Sequence, residues 1–124
     1  MNISGRILLV DQDYSQREFL RNLLEERGYR VVLLEDGYQI GDVLKDESFG
    51  IIFLDSKTRG IRDKSIFAQI KRSCPDCRII LISSKRGDGF TKEAMEFGAF
   101  GCVDKPFKEK EVLGMVHLIS PIRD

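Results

Sequence analysis

Residues 6–11 (Arg-Ile-Leu-Leu-Val-Asp) form an unbroken aliphatic run closed by a carboxylate. The run is too short for a helix and has no polar position in its middle, so it predicts a strand buried on both faces. From Ser15 the period lengthens. Phe19, Leu20, Leu23 and Leu24 fall a helical turn apart and are expected to face inward, with Arg17, Arg21, Glu25 and Glu26 on the solvated side. Asp13 or Ser15 supplies the cap of this helix and Gly28 its stop. Residues 30–34 predict a second strand, and Ile40, Val43 and Leu44 a short amphipathic helix that breaks at 48–50. Residues 51–55 (Ile-Ile-Phe-Leu-Asp) repeat the first pattern, again ending in a carboxylate. Ile66, Phe67 and Ile70 give helical spacing over 65–71, Pro75 ends the turn that follows, and 79–83 is a fourth aliphatic run ending in a hydroxyl. The spacing then predicts a helix over 91–97 stopped by Gly98 and a short strand over 101–104. A last helix over 109–119 has Val112, Leu113, Val116 and Ile119 inward.

Aliphatic strands alternating with helices imply a parallel sheet covered on both faces, because each crossover helix must pack back on the sheet. The fold class is therefore α/β, a doubly wound five-stranded parallel sheet built from five strand-helix units. The 124 residues suit one domain over 1–124, and no Gly/Ser/Pro linker or internal repeat divides them. A hydrophobic content of 42% beside 32% charged residues excludes a disordered chain.

The 20 Lys and Arg balance the 20 Asp and Glu, so no basic excess draws this chain by itself to nucleic acid or an anionic membrane. No apolar run approaches the roughly 20 residues that span a bilayer. The first residues do not read as a secretory signal, and a cytoplasmic location is expected. Three cysteines make no disulfide framework, and a reducing compartment would keep them as thiols that serve packing. Cys74-Pro75-Asp76-Cys77 matches a C-x-x-C pattern, but Cys102 and the sole histidine, His117, are remote in sequence, whereas zinc wants four ligands. His117 is expected at the surface or half-buried on the last helix.

In open α/β sheets the site lies at the carboxyl ends of the strands. Here those ends carry Asp11, Asp55 and Ser83, and Lys105-Pro106 follows the fifth strand. Two carboxylates suit Mg²⁺, which binds through one or two such groups and keeps several waters. A lysine and a hydroxyl are what a transferred phosphoryl group needs, since its transfer is mainly positioning and charge neutralisation. A carboxylate can itself be the acceptor. The segment after the first strand, Asp11-Gln12-Asp13-Tyr14-Ser15, has no glycine and carries negative charge, which excludes the G-x-G-x-x-G dinucleotide loop. The P-loop pattern is absent too. A flavin or small-ligand carrier has only fold analogy behind it.

These residues give the chain its resemblance to the response-regulator receiver domains of two-component signalling. The resemblance is carried by Ile7-Leu8-Leu9-Val10-Asp11, Ile51-Ile52-Phe53-Leu54-Asp55, Ile79-Ile80-Leu81-Ile82-Ser83, Gly98-Ala99 and, most specifically, Asp104-Lys105-Pro106-Phe107. It implies a flavodoxin-like sheet of order 2-1-3-4-5. Asp55 would be the phosphoacceptor, and Mg²⁺ would be held by Asp11, Gln12, Asp55 and the backbone carbonyl of Lys57. Ser83 would be the switch hydroxyl and Lys105 the phosphoryl-binding lysine. Lys57, Ser84, Lys85, Cys102 and Pro106 would modulate the switch, with Lys105-Pro106 as a cis peptide. The implied partners are a histidine kinase or phosphotransfer protein, and an output domain or downstream protein on the face of the fourth helix, fifth strand and fifth helix. A homodimer is left open. Such a chain is a switch rather than an enzyme, limited to its own phosphotransfer and slow dephosphorylation.

Three departures from the family pattern fall in the site and its readout. The second of two adjacent acids is Gln12, so weaker Mg²⁺ binding is expected unless Asp13 compensates. The Met-Pro after the acceptor is replaced by Lys57-Thr58-Arg59-Gly60, and the aromatic of the fifth strand is Cys102. Lys57 and Lys85 either hold the phosphoryl group longer or partly replace the metal. Phe90, Met95, Phe100 and Cys102 form either an exposed partner face or simply core. The alternative to phosphoryl acceptance is a pseudo-receiver, a protein-interaction module that works without phosphorylation.

Overall fold

The computed structural model describes residues 5–61, 63, 65–83 and 89–120. Five strands form one parallel sheet: β1 (Arg6–Val10), β2 (Arg30–Leu34), β3 (Ile51–Asp55), β4 (Arg78–Ser83) and β5 (Gly101–Asp104). Their spatial order is β2-β1-β3-β4-β5, the doubly wound order expected. The helices are α1 (Tyr14–Glu25), α2 (Ile40–Asp46), α3 (Ser65–Ser73), α4 (Gly89–Glu96) and α5 (Glu109–Ile119). A single 3₁₀ turn, Gly37–Gln39, precedes α2.

Alternation along the strands divides the core into two layers, because successive side chains point to opposite faces. Leu8, Val10, Ile52, Leu54, Ile79 and Leu81 pack with residues of α2, α3 and α4. Ile7, Leu9, Phe53, Ile80 and Ile82 pack with those of α1 and α5. The strands therefore need apolar residues at every position, which is why they read as unbroken runs.

Asp13 caps α1, its carboxylate accepting the Gln16 backbone N–H at 3.0 Å. Gly28, at φ 93°, takes the left-handed turn after the helix. Leu20, Leu23 and Leu24 are buried as expected, whereas Phe19 is 44% exposed and meets Phe107 at the rim, ring centroids 6.1 Å apart. Arg17 also departs from its expected solvated place and is buried. Leu113 is only partly buried, whereas Val112, Val116 and Ile119 are core. His117 is exposed. Among the described residues no helix is long and apolar enough to cross a membrane.

The thiol expectation for Cys74 and Cys77 is corrected: the two are joined in a disulfide, with Cα atoms 5.4 Å apart. Cys74 ends the helical ladder of α3, its N–H donating to the Ile70 carbonyl. The next turn returns the Cys77 N–H to the Cys74 carbonyl at 3.1 Å. That turn brings the sulfurs together, a proximity that a C-x-x-C spacing permits without requiring. Cys102 is the free cysteine.

Candidate functional site

Parallel strands that end on one edge bring Asp11, Asp55, Ser83 and Lys105 to the same rim. Asp11 follows β1 directly and is fully buried, and Asp55, the last residue of β3, is 2% exposed. Each is held by backbone donors. Asp11 Oδ1 accepts the Asp13 N–H and Asp55 Oδ1 the Lys57 N–H, both at 2.9 Å. Lys105 Nζ lies 2.7 Å from Asp55 Oδ2. The Lys105–Pro106 peptide is cis.

The remaining carboxylate oxygens turn toward each other and share one donor. Gln16 Nε2 donates to Asp11 Oδ2 through a short hydrogen bond, and to Asp55 Oδ2 at 2.5 Å. The Asp11 carboxyl is raised from 3.8 to about 6. Burial is the main cause and the negative charge of Asp55 adds to it, against the lowering effects of the Asp13 N–H, the Gln16 amide and Lys105.

Arg17 fixes the backbone beneath this pair. Its Nη1 donates to the Asp11 main-chain oxygen at 2.8 Å, and its guanidinium lies 5.5 Å from the centre of the Tyr14 ring. These contacts bury an arginine that helical periodicity assigned to solvent.

Gln12 faces away from the carboxylates. Its Oε1 accepts the Arg59 backbone N–H at 3.1 Å and Arg59 Nη1 at 3.2 Å, while its own N–H donates to Thr58 Oγ1 at 3.1 Å. Residue 12 thus ties the end of β1 to the β3–α3 loop. Lys57 is exposed on that loop.

Ser83 is buried, and its Oγ accepts a hydrogen bond from Thr91 of α4 at 3.1 Å. Its carbonyl accepts the Lys105 N–H at 2.8 Å, linking the hydroxyl strand to the lysine loop. Cys102 is half-buried, and desolvation, then Asp104, pushes its thiol above the usual range. Ser84 and Lys85 lie outside the described residues. Of the apolar residues expected near β5, Phe90 is core, whereas Met95 and Phe100 are exposed beside Phe97.

Gln16 and Thr91 escaped sequence reasoning, and so did the bonds by which Thr58 and Arg59 hold residue 12. Gln16 had a usable signal: it sits three residues after the Asp13 cap, and first-turn side chains lean back toward the helix N-terminus and the sheet edge. Among the described residues no group of three or more His, Cys, Asp and Glu side chains converges. Two carboxylate oxygens within reach of a single nitrogen are nevertheless a hard donor pair, and they fit a Mg²⁺ ion that keeps waters at its other positions.

An acidic pair, a buried hydroxyl and a lysine at the carboxyl edge of a 2-1-3-4-5 sheet define a receiver. Residues 7–117 match the response regulator receiver domain family, and the chain belongs to it. It is similar to the transcriptional regulatory protein FixJ of Bradyrhizobium diazoefficiens, 27% identical over 94% of this chain and 57% of that protein. The chain thus spans little more than half of that relative's length. Its similarity to the sporulation initiation phosphotransferase F of Bacillus subtilis, 26% identical, covers 98% of both chains. Among solved structures, the receiver domain of the Pseudomonas aeruginosa sensor histidine kinase PA1611, with magnesium coordinated in its active-site cleft, has a TM-score of 0.83. That likeness is 22% identical and covers 94% of this chain and 97% of the other. Receivers are in general signalling modules rather than enzymes.

Proposed function

We propose that this receiver accepts a phosphoryl group on Asp55 from the phosphohistidine of a histidine kinase or phosphotransfer protein. The observation that carries the reading is Asp55 itself: a buried carboxylate with Lys105 Nζ at 2.7 Å and Asp11 one amide away. Asp11, Asp55 and the backbone carbonyl of Lys57 would hold Mg²⁺, with Gln12 joining only if its carbonyl leaves Arg59. Bound there, the ion would neutralise charge on the phosphoryl oxygens.

An Asp55 carboxylate oxygen attacks phosphorus, the P–N bond to the donor imidazole breaks, and its electron pair stays on that nitrogen. The Lys57 N–H keeps Asp55 Oδ1 oriented while Lys105 supplies positive charge at the reacting edge. The added charge of about −1.5 to −2 gives the Ser83 hydroxyl proton a new acceptor, while the Ser83 oxygen accepts from Thr91 of α4. This couples the site to α4. The exposed Met95, Phe97 and Phe100, with Leu118 of α5, are apolar contacts for an output domain or downstream protein. The reading puts the chain in the cytoplasm with its donor, a reducing compartment in which the Cys74–Cys77 disulfide is open to reduction.

The test is intact-mass spectrometry after incubation with acetyl phosphate and Mg²⁺, with Asp55→Asn beside it. A phosphate-sized gain, absent in Asp55→Asn, is expected. A second reading, the phosphorylation-independent module, is favoured by the engagement of the Gln12 carbonyl with Arg59. No mass gain at high Mg²⁺ would select it.

A further inference from the structure

Gln16 Nε2 lies between Asp11 Oδ2 and Asp55 Oδ2, bonded to both. Both neighbours are carboxylate oxygens and only accept, so the amide must present its nitrogen. Its two hydrogens match two acceptors, and it screens two buried carboxylates that would otherwise face each other. A cation bound by the same two oxygens needs the place this nitrogen holds.

We infer that Gln16 is a built-in placeholder for the metal: its side-chain amide occupies the cation position, and Mg²⁺ binds only by displacing it. This rests on the metal-assisted reading of the site. Three features support it. The Asp13 cap fixes the Gln16 backbone, so the reach of the side chain is set by the first turn of α1. No second carboxylate at position 12 opposes the amide, since that residue is a glutamine turned toward Arg59. The displaced side chain has somewhere to go, because Gln16 is half-buried at a groove of about 630 Å³ lined by Ser15, Phe19, Lys105, Pro106 and Phe107.

The amide is neutral, so it relieves the carboxylate pair without the pull of a cation. Metal affinity then becomes the difference between two occupants, lower than the two acids alone would provide. Gln16 thereby sets the Mg²⁺ concentration at which Asp55 Oδ2 passes from the amide to the ion.

Mg²⁺ titration by calorimetry on wild type, Gln16→Met and Gln16→Ala tests this. Methionine keeps the length and removes the donors; alanine empties the position. Both variants are expected to lower the Mg²⁺ dissociation constant about threefold to tenfold, the range expected for exchanging a few hydrogen bonds. Equal affinity would overturn the inference, and so would the absence of Mg²⁺ binding in all three proteins. Weaker binding in the variants would overturn it too, by making Gln16 a ligand.

A readout on unaltered protein covers the case in which a variant fails to fold. The Gln16 side-chain NH₂ signals in ¹⁵N-resolved spectra should move with the same midpoint as the Asp11 and Asp55 backbone amides. Titrating backbone signals beside a static Gln16 NH₂ would count against displacement. The acetyl phosphate assay at saturating Mg²⁺ separates the two readings. Tighter metal binding in the variants without phosphate on any protein would sink phosphoacceptance and leave the placeholder standing.

Discussion

Gly37 and Gly60 meet backbone to backbone, so closely that a Cβ on Gly37 would stand 2.7 Å from the Gly60 carbonyl oxygen. The Gly37 N–H donates to the Arg59 carbonyl at 2.7 Å, and Gly60 turns there with φ 84°. The 3₁₀ turn before α2 is thereby docked on the β3–α3 loop, whose Thr58 and Arg59 hold Gln12. A contact made by absent side chains supports the rim of the site from behind.

Gly37→Ala should therefore destabilise the fold by about 1–3 kcal/mol, the usual cost of forcing a methyl group into a packed contact. Urea unfolding measures it. A loss below ~0.5 kcal/mol would mean that the two loops separate easily and that the docking is weak.

The Asp11 carboxyl predicts a pH dependence of stability. Its folded value of about 6 lies above the ordinary 3.8, so the folded state holds this proton more tightly than the unfolded chain does. The stabilisation is complete below about pH 4 and is lost as pH rises through 6, to a total of up to ~3 kcal/mol. Asp11→Asn removes the cost of the buried charge while keeping an oxygen for the Asp13 N–H. The variant should be more stable than wild type at pH 7, with the advantage fading toward pH 4. Denaturant midpoints of both proteins across that range, without divalent cations, decide it. A constant difference would show that ionisation of Asp11 is not what separates them.

The strands and the convergence of Asp11, Asp55, Ser83 and Lys105 were legible for one reason. A sheet covered on both faces needs continuous aliphatic runs, and parallel topology sends every run to the same edge. Arg17 and Gln16 were not legible in that way. Periodicity sorts a helix into core and solvent faces, but it does not mark the end that overlooks a sheet edge, where Arg17 finds a carbonyl and Gln16 two carboxylates. Gln12 was legible as a missing charge, whereas its bond to Arg59 joins segments 47 residues apart and needs the fold. The Gly37–Gly60 contact leaves no side-chain pattern to read.

Arg59 should mask the effect of restoring an acid at position 12. In Gln12→Asp the new carboxylate has Arg59 within reach, so the gain in Mg²⁺ affinity should stay near threefold. Adding Arg59→Ala releases that carboxylate, and the combined gain should reach about tenfold or more. Both side chains are exposed, so stability should change by less than ~1 kcal/mol. Calorimetric titration of the two single variants and the double variant measures the coupling. Strict additivity would mean that Arg59 does not control residue 12.

The disulfide predicts a thiol count. Native, unreduced protein should react with a single equivalent of alkylating reagent, at Cys102, and slowly, because burial and Asp104 raise that thiol above its usual range. After reduction and unfolding the count should be three. Cys74 and Cys77 close a loop of only a few residues, so chain entropy limits the stabilisation to about 2 kcal/mol. Both sulfurs lie against the Phe49 carbonyl, at 3.5 and 2.9 Å, and the reduced thiols would find an acceptor there. That acceptor should shrink the loss further, so reduction should lower the unfolding midpoint by about 1 kcal/mol or less while the sheet edge carrying Asp11 and Asp55 stays intact. Mass spectrometry of alkylated protein with paired urea melts tests both halves. Three reactive thiols before reduction, or collapse of the fold after it, would contradict this account of the α3–β4 turn.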